Sequence, residues 1–203
     1  MSTMELIFAT NNAHKLQEVS AILGNQVQLS TPAQHGINED IPETQATLAG
    51  NALQKVRYIH QRLHKNCFAD DTGLEVDYLN GAPGVYSARY AGEQKDMNAN
   101  KHKLLHELQN APLRTARFRT VIALVFNDAE YIFEGVVEGK IIENEVGSGG
   151  FGYDGLFIPD GFTQTFAQMS ATEKNNISHR ARAVQKLAQF FNDQQPITNR
   201  IYY

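Results

Sequence analysis

Among its 203 residues the chain has a single cysteine, Cys67. That excludes an intrachain disulfide and a cysteine-rich zinc site, and the setting of the residue in the apolar run Cys67-Phe68-Ala69 reads as core packing. Also lacking is any stretch apolar and long enough to cross a bilayer, and the first ten residues carry no basic start followed by an apolar run. The expectation is a cytoplasmic, soluble protein with no membrane partner. Neither sign of charge dominates: the formal net charge is -4 and the Lys and Arg residues are scattered. No basic face is left to grip a nucleic-acid backbone, so a bound phosphate would belong to a small ligand. Composition breaks, linkers and internal repeats are missing too, so residues 1-203 are expected to form one domain. With 42% hydrophobic residues, the chain can bury a substantial core, as one body or as two lobes sharing a sheet.

What is present is an alternation of strand and helix patterns. Met4 to Ala9 is a short apolar run ended by the polar turn Thr10-Asn11-Asn12, as in a buried first strand. Leu16, Val19 and Leu23 then recur at helical spacing up to the stop signal Gly24-Asn25. Val27 to Thr31 reads as a second strand, and Pro32 to Pro42 as irregular. From Thr47 to His64 the residues Leu48, Ala52, Val56, Ile59 and Leu63 mark an amphipathic helix. Cys67 to Asp71 reads as a strand closed by Thr72-Gly73, Gly81-Ala-Pro-Gly84 as a tight loop, and Asp96 to Leu108 as a helix. Arg117 to Asn127 and Tyr131 to Val137 form an antiparallel hairpin at the centre of the sheet. Val121, Ala123 and Val125 lie opposite Ile122 and Leu124, so that stretch should be covered on both faces. A last helix begins near Ser178. The fold class this implies is α/β with a mixed sheet.

Four polar clusters sit at the ends of these elements. Thr10-Asn-Asn-Ala-His-Lys15 opens a helix, where free backbone amides, hydroxyl, amide and ammonium groups suit a polyphosphate. The same residues equally suit a helix cap with Lys15 in solvent. This is not the glycine-rich loop of common NTPases, because G-x-x-x-x-G-K-[ST] is absent. Asp70 and Asp71 end an apolar strand, and strand alternation allows at most one of them to face a given cleft. Such oxygen ligands suit Mg2+, although a solvated turn would hold the pair as well. Glu43, before the long helix, is a remote partner or an ordinary helix-start carboxylate. Gly149-Gly-Phe-Gly-Tyr-Asp154 offers Phe151 or Tyr153 to stack on a base and Asp154 to accept from it; a β-turn with core aromatics would look the same. Lys174-Asn-Asn-Ile-Ser-His-Arg180 could complete such a pocket or be a helix capped by Ser178. The pairs His60/His64 and His102/His106 lie on mostly polar helix faces and read as solvated, without a zinc ion.

Taken in order, Phe8-Ala-Thr-Asn-Asn-Ala-His-Lys15, Phe68-Ala-Asp-Asp-Thr-Gly-Leu74, Gly81-Ala-Pro-Gly-Val-Tyr-Ser-Ala-Arg89, Gly149-Gly-Phe-Gly-Tyr-Asp154 and Ser178-His-Arg180 closely resemble the inosine/xanthosine triphosphate pyrophosphatase family. The resemblance implies a homodimeric house-cleaning enzyme with an elongated mixed sheet flanked by helices, and two lobes with the active-site cleft between them. Its reaction would be hydrolysis of ITP, dITP and XTP to the monophosphate and pyrophosphate. Carried over by motif, Thr10, Asn11, Asn12, Ala13, His14 and Lys15 would grip the triphosphate. Glu43 and Asp71, with Asp70 as a possible second metal group, would hold Mg2+, and Asp71 would take the proton of the attacking water. Thr72 stands where the family often has a Ser in contact with substrate. Phe151, Gly152, Tyr153 and Asp154 would line the base pocket, completed by Lys174, His179 and Arg180. The segment Glu43 to Asn51 departs from the family pattern at Gln45, Leu48, Ala49 and Gly50 while keeping Glu43, Thr47, Asn51 and Lys55. Gly155 replaces a usual Pro.

Overall fold

The computed structural model describes residues 4–24 and 27–194; Asn25 of the expected stop signal lies outside them. Seven strands and five helices follow one another as β1 (Met4–Phe8), α1 (Ala13–Leu23), β2 (Val27–Ser30), α2 (Leu48–Leu63), β3 (Cys67–Val76), β4 (Pro83–Gly84), α3 (Met97–Glu107), β5 (Thr115–Phe126), β6 (Ala129–Ile141), β7 (Phe157–Pro159), α4 (Ala171–Ile177) and α5 (His179–Gln194). The strands lie in the order β2-β1-β3-β5-β6-β7, with β4 beside β3. β1 runs parallel to β2 and β3, and the remaining pairs are antiparallel, so the sheet is open and mixed.

Strand β5 is covered on both faces, as its two apolar rows require. Ile122 and Leu124 pack with Phe8 and Phe68 against α1 and α5. Val121, Ala123 and Val125 pack on the other side against Leu48, Ala52, Val56 and Ile59 of α2. Further along the sheet a third cluster joins Leu74, Phe118, Val137 and Phe157 to Leu104 of α3. Each Val, Leu, Ile or Phe side chain fully buried in this way stabilises the fold by about 1.5–3 kcal/mol. The β5–β6 hairpin turns through Asn127 and Asp128, at φ 51° and 62°, the left-handed pair that a two-residue turn needs.

One expectation needs correction. Thr72-Gly73 does not close β3, which continues to Val76 in an unbroken ladder with β5, from Cys67 opposite Val125 to Val76 opposite Ala116. Gly73 is there for space: a Cβ at that position would lie 2.5 Å from the carbonyl oxygen of Gly84 on β4. The last helix begins beside Ser178, as expected, with α5 starting at His179. A short helix, α4, precedes it, opened by a capping box in which Ser170 and Glu173 satisfy each other's backbone amides. Ser178 then separates the two helices, its Oγ accepting from the Ala181 amide at 3.2 Å. The start of α5 lies directly on β6, because a Cβ at Gly135 would come within 2.1 Å of the His179 carbonyl oxygen. This close approach brings His179 and Arg180 onto the sheet.

Candidate active site

A cavity of about 800 Å³ is walled by the β1–α1 loop, the middle of β3, residues 40–43 before α2, residues 87–89, the 151–154 loop and the α4–α5 junction. Every candidate named from the sequence lies on that wall except Ala13, Gly152 and Asp70. The β1–α1 loop is first a helix cap: the Asn12 side chain accepts from the Lys15 amide at 3.1 Å, and Thr10 Oγ1 accepts from the Asn12 amide at 3.1 Å. Capping leaves the Asn12 side-chain amide free to donate. Lys15, however, is not in solvent. Its ammonium lies 2.9 Å from Asp70 Oδ1, and its side chain is 14% exposed.

Because β3 continues past the two aspartates, its alternation separates them. Asp70 and Thr72 face α5, where Arg180 Nε donates to Asp70 Oδ2 at 3.2 Å and Thr72 Oγ1 lies 2.7 Å from Thr120 Oγ1. Asp71 faces α2. Asn51 Nδ2 donates to its Oδ2 at 3.0 Å, and Lys55 Nζ stands 3.8 Å from its Oδ1. That same ammonium donates to Glu43 at 2.5 Å. Burial raises the pKa of Asp71, with Glu43 adding to the rise, against the pull of Lys55 and Lys15. Burial raises the pKa of Asp70 too, but the Lys15 and Arg180 cations overcome it and hold that carboxyl well below the usual range.

Asp70 therefore has its acceptors engaged by Lys15, Arg180 and, at 3.4 Å, the Thr72 hydroxyl, which leaves little for a metal. Glu43 and Asp71 are differently placed. They share one cation, Lys55, and both line the cavity, where Asp71 also accepts from Asn51 Nδ2 and from the Thr72 amide, each at 3.0 Å. Among the described residues no group of three His, Cys, Asp or Glu side chains could hold a metal unaided. Two hard carboxylates fit Mg2+, which takes one or two such ligands and fills its shell with water and substrate phosphate.

The opposite part of the cavity is built on buried cations. Lys174 Nζ donates to Asp154 Oδ2 and to Glu18 Oε1, both at 2.8 Å. Arg180, 1% exposed, donates through NH1 to Glu18 and through NH2 to Thr72 Oγ1. Asp154 also accepts from the Phe151 amide at 2.9 Å, fixing the loop so that the Phe151 ring lies 5.2 Å from the Lys174 ammonium and 5.6 Å from the Arg180 guanidinium. On the cavity side that ring stacks on His14, centroids 5.2 Å apart. The His179 ring stacks on Phe118 at 4.7 Å, and its Nδ1 is buried without a hydrogen-bond partner. Burial, then Arg180 and Lys174, push its pKa well below 6.5, so the ring is neutral. Tyr153 is tied across the cavity wall: its hydroxyl donates to the Ser87 carbonyl at 2.9 Å and joins the glycine-rich loop to residues 87–89.

Glu18, Asn51 and Lys55 belong to this site and were not singled out as candidates. Glu18 stands one helical turn beyond Lys15, on the same face of α1, which was the available signal. Asn51 and Lys55 are polar residues spaced four apart on the buried face of α2. The histidine pairs stay apart from it. His60 Nε2 lies 3.2 Å from Asp128 on the surface, and His102 and His106 are exposed on α3.

An open mixed sheet whose central strand aims one carboxylate into a cleft, between a helix N-terminus and a bed of buried cations, defines an α/β protein built for a small anionic ligand with a polar ring. The chain belongs to the Ham1 family, whose profile it matches over residues 6–190. It is 49% identical over 188 residues to a dITP/XTP pyrophosphatase of Flavobacterium psychrophilum, covering 93% of this chain and 99% of that one. To the dITP/XTP pyrophosphatase of Porphyromonas gingivalis it is 54% identical over 187 residues, covering 92% and 96%. The solved structure of the Staphylococcus aureus Ham1 protein superposes with a TM-score of 0.86 at 38% identity, covering 94% of this chain and all of that one. No helix among the described residues is long and apolar enough to cross a membrane.

Proposed function

We propose that the protein hydrolyses the deaminated purine nucleotides dITP, ITP and XTP between the α and β phosphates, releasing the monophosphate and pyrophosphate. The observation that carries this reading is the polarity of the cleft: Asp71 and Glu43 at one part of its wall, and Lys174, Arg180 and Asp154 at another. Lys15, the Asn12 amide and the helix N-terminus bind the phosphates. Mg2+, held by Glu43 and Asp71, would neutralise charge building on the phosphate oxygens. Asp71 accepts the proton of the attacking water. Asn51 and Lys55 hold that carboxylate in place from α2. At the base end Lys174 and Arg180 donate to a 6-oxo group; a 6-amino group would oppose donor to donor, which rejects ATP. The stacked pair His14 and Phe151 supplies the aromatic surface. The protein acts as a cytoplasmic homodimer on free nucleotides, with no nucleic-acid partner.

The test is pyrophosphate release from ITP, XTP, ATP, dUTP and dTTP with Mg2+ and with a chelator. Release from ITP and XTP that stops on chelation is expected. A folded protein that leaves both intact, or prefers the pyrimidines, overturns the reading.

A further inference from the structure

Charges alternate without a gap across the α5 side of the site. The Lys15 ammonium is 2.9 Å from Asp70; Asp70 accepts from Arg180 at 3.2 Å; Arg180 donates to Glu18; Glu18 accepts from Lys174 at 2.8 Å; and Lys174 donates to Asp154 at 2.8 Å. The first residue of this chain belongs to the phosphate loop and the last to the base loop. Asp70 is the link through which the two halves meet, since its Oδ1 takes the lysine and its Oδ2 the arginine. It is 1% exposed and lies off the cavity wall, so it acts on a ligand only through those two cations and the Thr72 hydroxyl, 3.4 Å from its Oδ2.

We infer that Asp70 is a positioning residue that couples occupancy of the phosphate end to order at the base end. Resting on the function proposed above, this adds a mechanism by which that site reads the base and the phosphates together. A phosphate oxygen on Lys15 competes with Asp70 for the ammonium. Asp70 cannot be left buried with its charge unshared, so it leans on the guanidinium at its other oxygen. Arg180 has five N–H donors, of which Nε, NH1 and NH2 each already hold a partner, so a firmer hold at Nε fixes the plane of the whole fork. A fixed fork presents its remaining donors to the base at lower entropic cost, and binding at either end then favours binding at the other.

Inosine and inorganic tripolyphosphate separate the two ends, and inosine is uncharged, so the two have no direct charge interaction. With Ca2+ replacing Mg2+ to prevent turnover, calorimetric titration of inosine is run with and without saturating tripolyphosphate. The wild-type protein should bind inosine at least about fivefold more tightly when tripolyphosphate is present, and the reverse titration should give the same factor. Asp70→Asn, which keeps the shape and removes the charge, should still bind each probe while the factor falls towards one. Glu18→Gln cuts the chain at a different link and should lower the factor as well; it decides the matter if Asp70→Asn does not fold. Independent binding in the wild type, or an undiminished factor in the folded variants, overturns the inference. Failure of the wild type to bind either probe removes the site reading itself and the coupling with it.

Discussion

Asp70 and Asp71 are chain neighbours on β3, yet the sheet divides them. Asp70 looks towards α5 and is clamped by Lys15 and Arg180, while Asp71 looks towards α2 and lines the cavity beside Asn51 and Lys55. Both are buried, and the outcome of burial is opposite: the cations win at Asp70 and desolvation wins at Asp71. A carboxylate held strongly ionised by two partners serves structure and orientation. On the function proposed above, one whose charge is poorly compensated is available to something that arrives, a cation or a proton. Chemistry at this site is thus assigned by which face of a strand a residue occupies.

The largest effect that would break this contrast is on turnover. Asp71→Asn should lower the rate of pyrophosphate release from ITP by about 10²–10⁴-fold, with the urea midpoint unchanged or raised, because a poorly compensated charge is removed. Near-normal activity would return Asp71 to the status of a structural residue. Next comes stability. Asp70→Asn leaves Lys15 and Arg180 short of a shared buried counter-charge and should cost about 3–5 kcal/mol in urea unfolding. If it costs no more than Asp71→Asn, the two carboxylates do not differ as described.

The smallest effect is on pH dependence, and it sharpens the contrast by separating pH windows. The folded pKa of His179 lies well below 6.5, so as pH falls the unfolded chain takes up this proton first. Its contribution to stability is complete above about pH 6.5 and is lost below it, at up to about 1.4 kcal/mol per pH unit. Asp70, with a lowered folded pKa, keeps its contribution down to the ordinary carboxylate range and loses it only below about pH 4. Thermal unfolding followed from pH 7 to 5 should therefore slope in the wild type and flatten in His179→Phe. An unchanged slope would show that another group titrates there.

How far the sequence could be read follows from the range of the interactions. Strand β5 was legible because its two apolar rows alternate within ten residues, and helix α2 because its apolar face repeats locally. The separation of Asp70 from Asp71 was legible in the same way, as a consequence of strand alternation. The continuation of β3 through Thr72-Gly73 was not, since glycine marks a turn as readily as a close approach, and only the position of Gly84 on β4 decides between them. Helix α4 had a local signal, Ser170 with Glu173 three residues later, which the strong pattern from Ser178 onward overshadowed. The pairing of Glu18 with Lys174 and Arg180 spans more than 150 residues of chain. Nothing in a local pattern specifies such a partner.

The ladder between β3 and β5 has one more consequence. It runs residue against residue for the whole length of β3, and side chains on a strand change face at every step. A deletion or insertion of one residue just upstream of Asp70 would slide the acidic pair by one place against its neighbours. The first aspartate would then meet Lys55 and the second Arg180, or one of them would leave the pair's station altogether. Point changes at either aspartate act on one side of the sheet, whereas a change in spacing exchanges the sides. The ten paired residues act as a phase lock on the acidic pair.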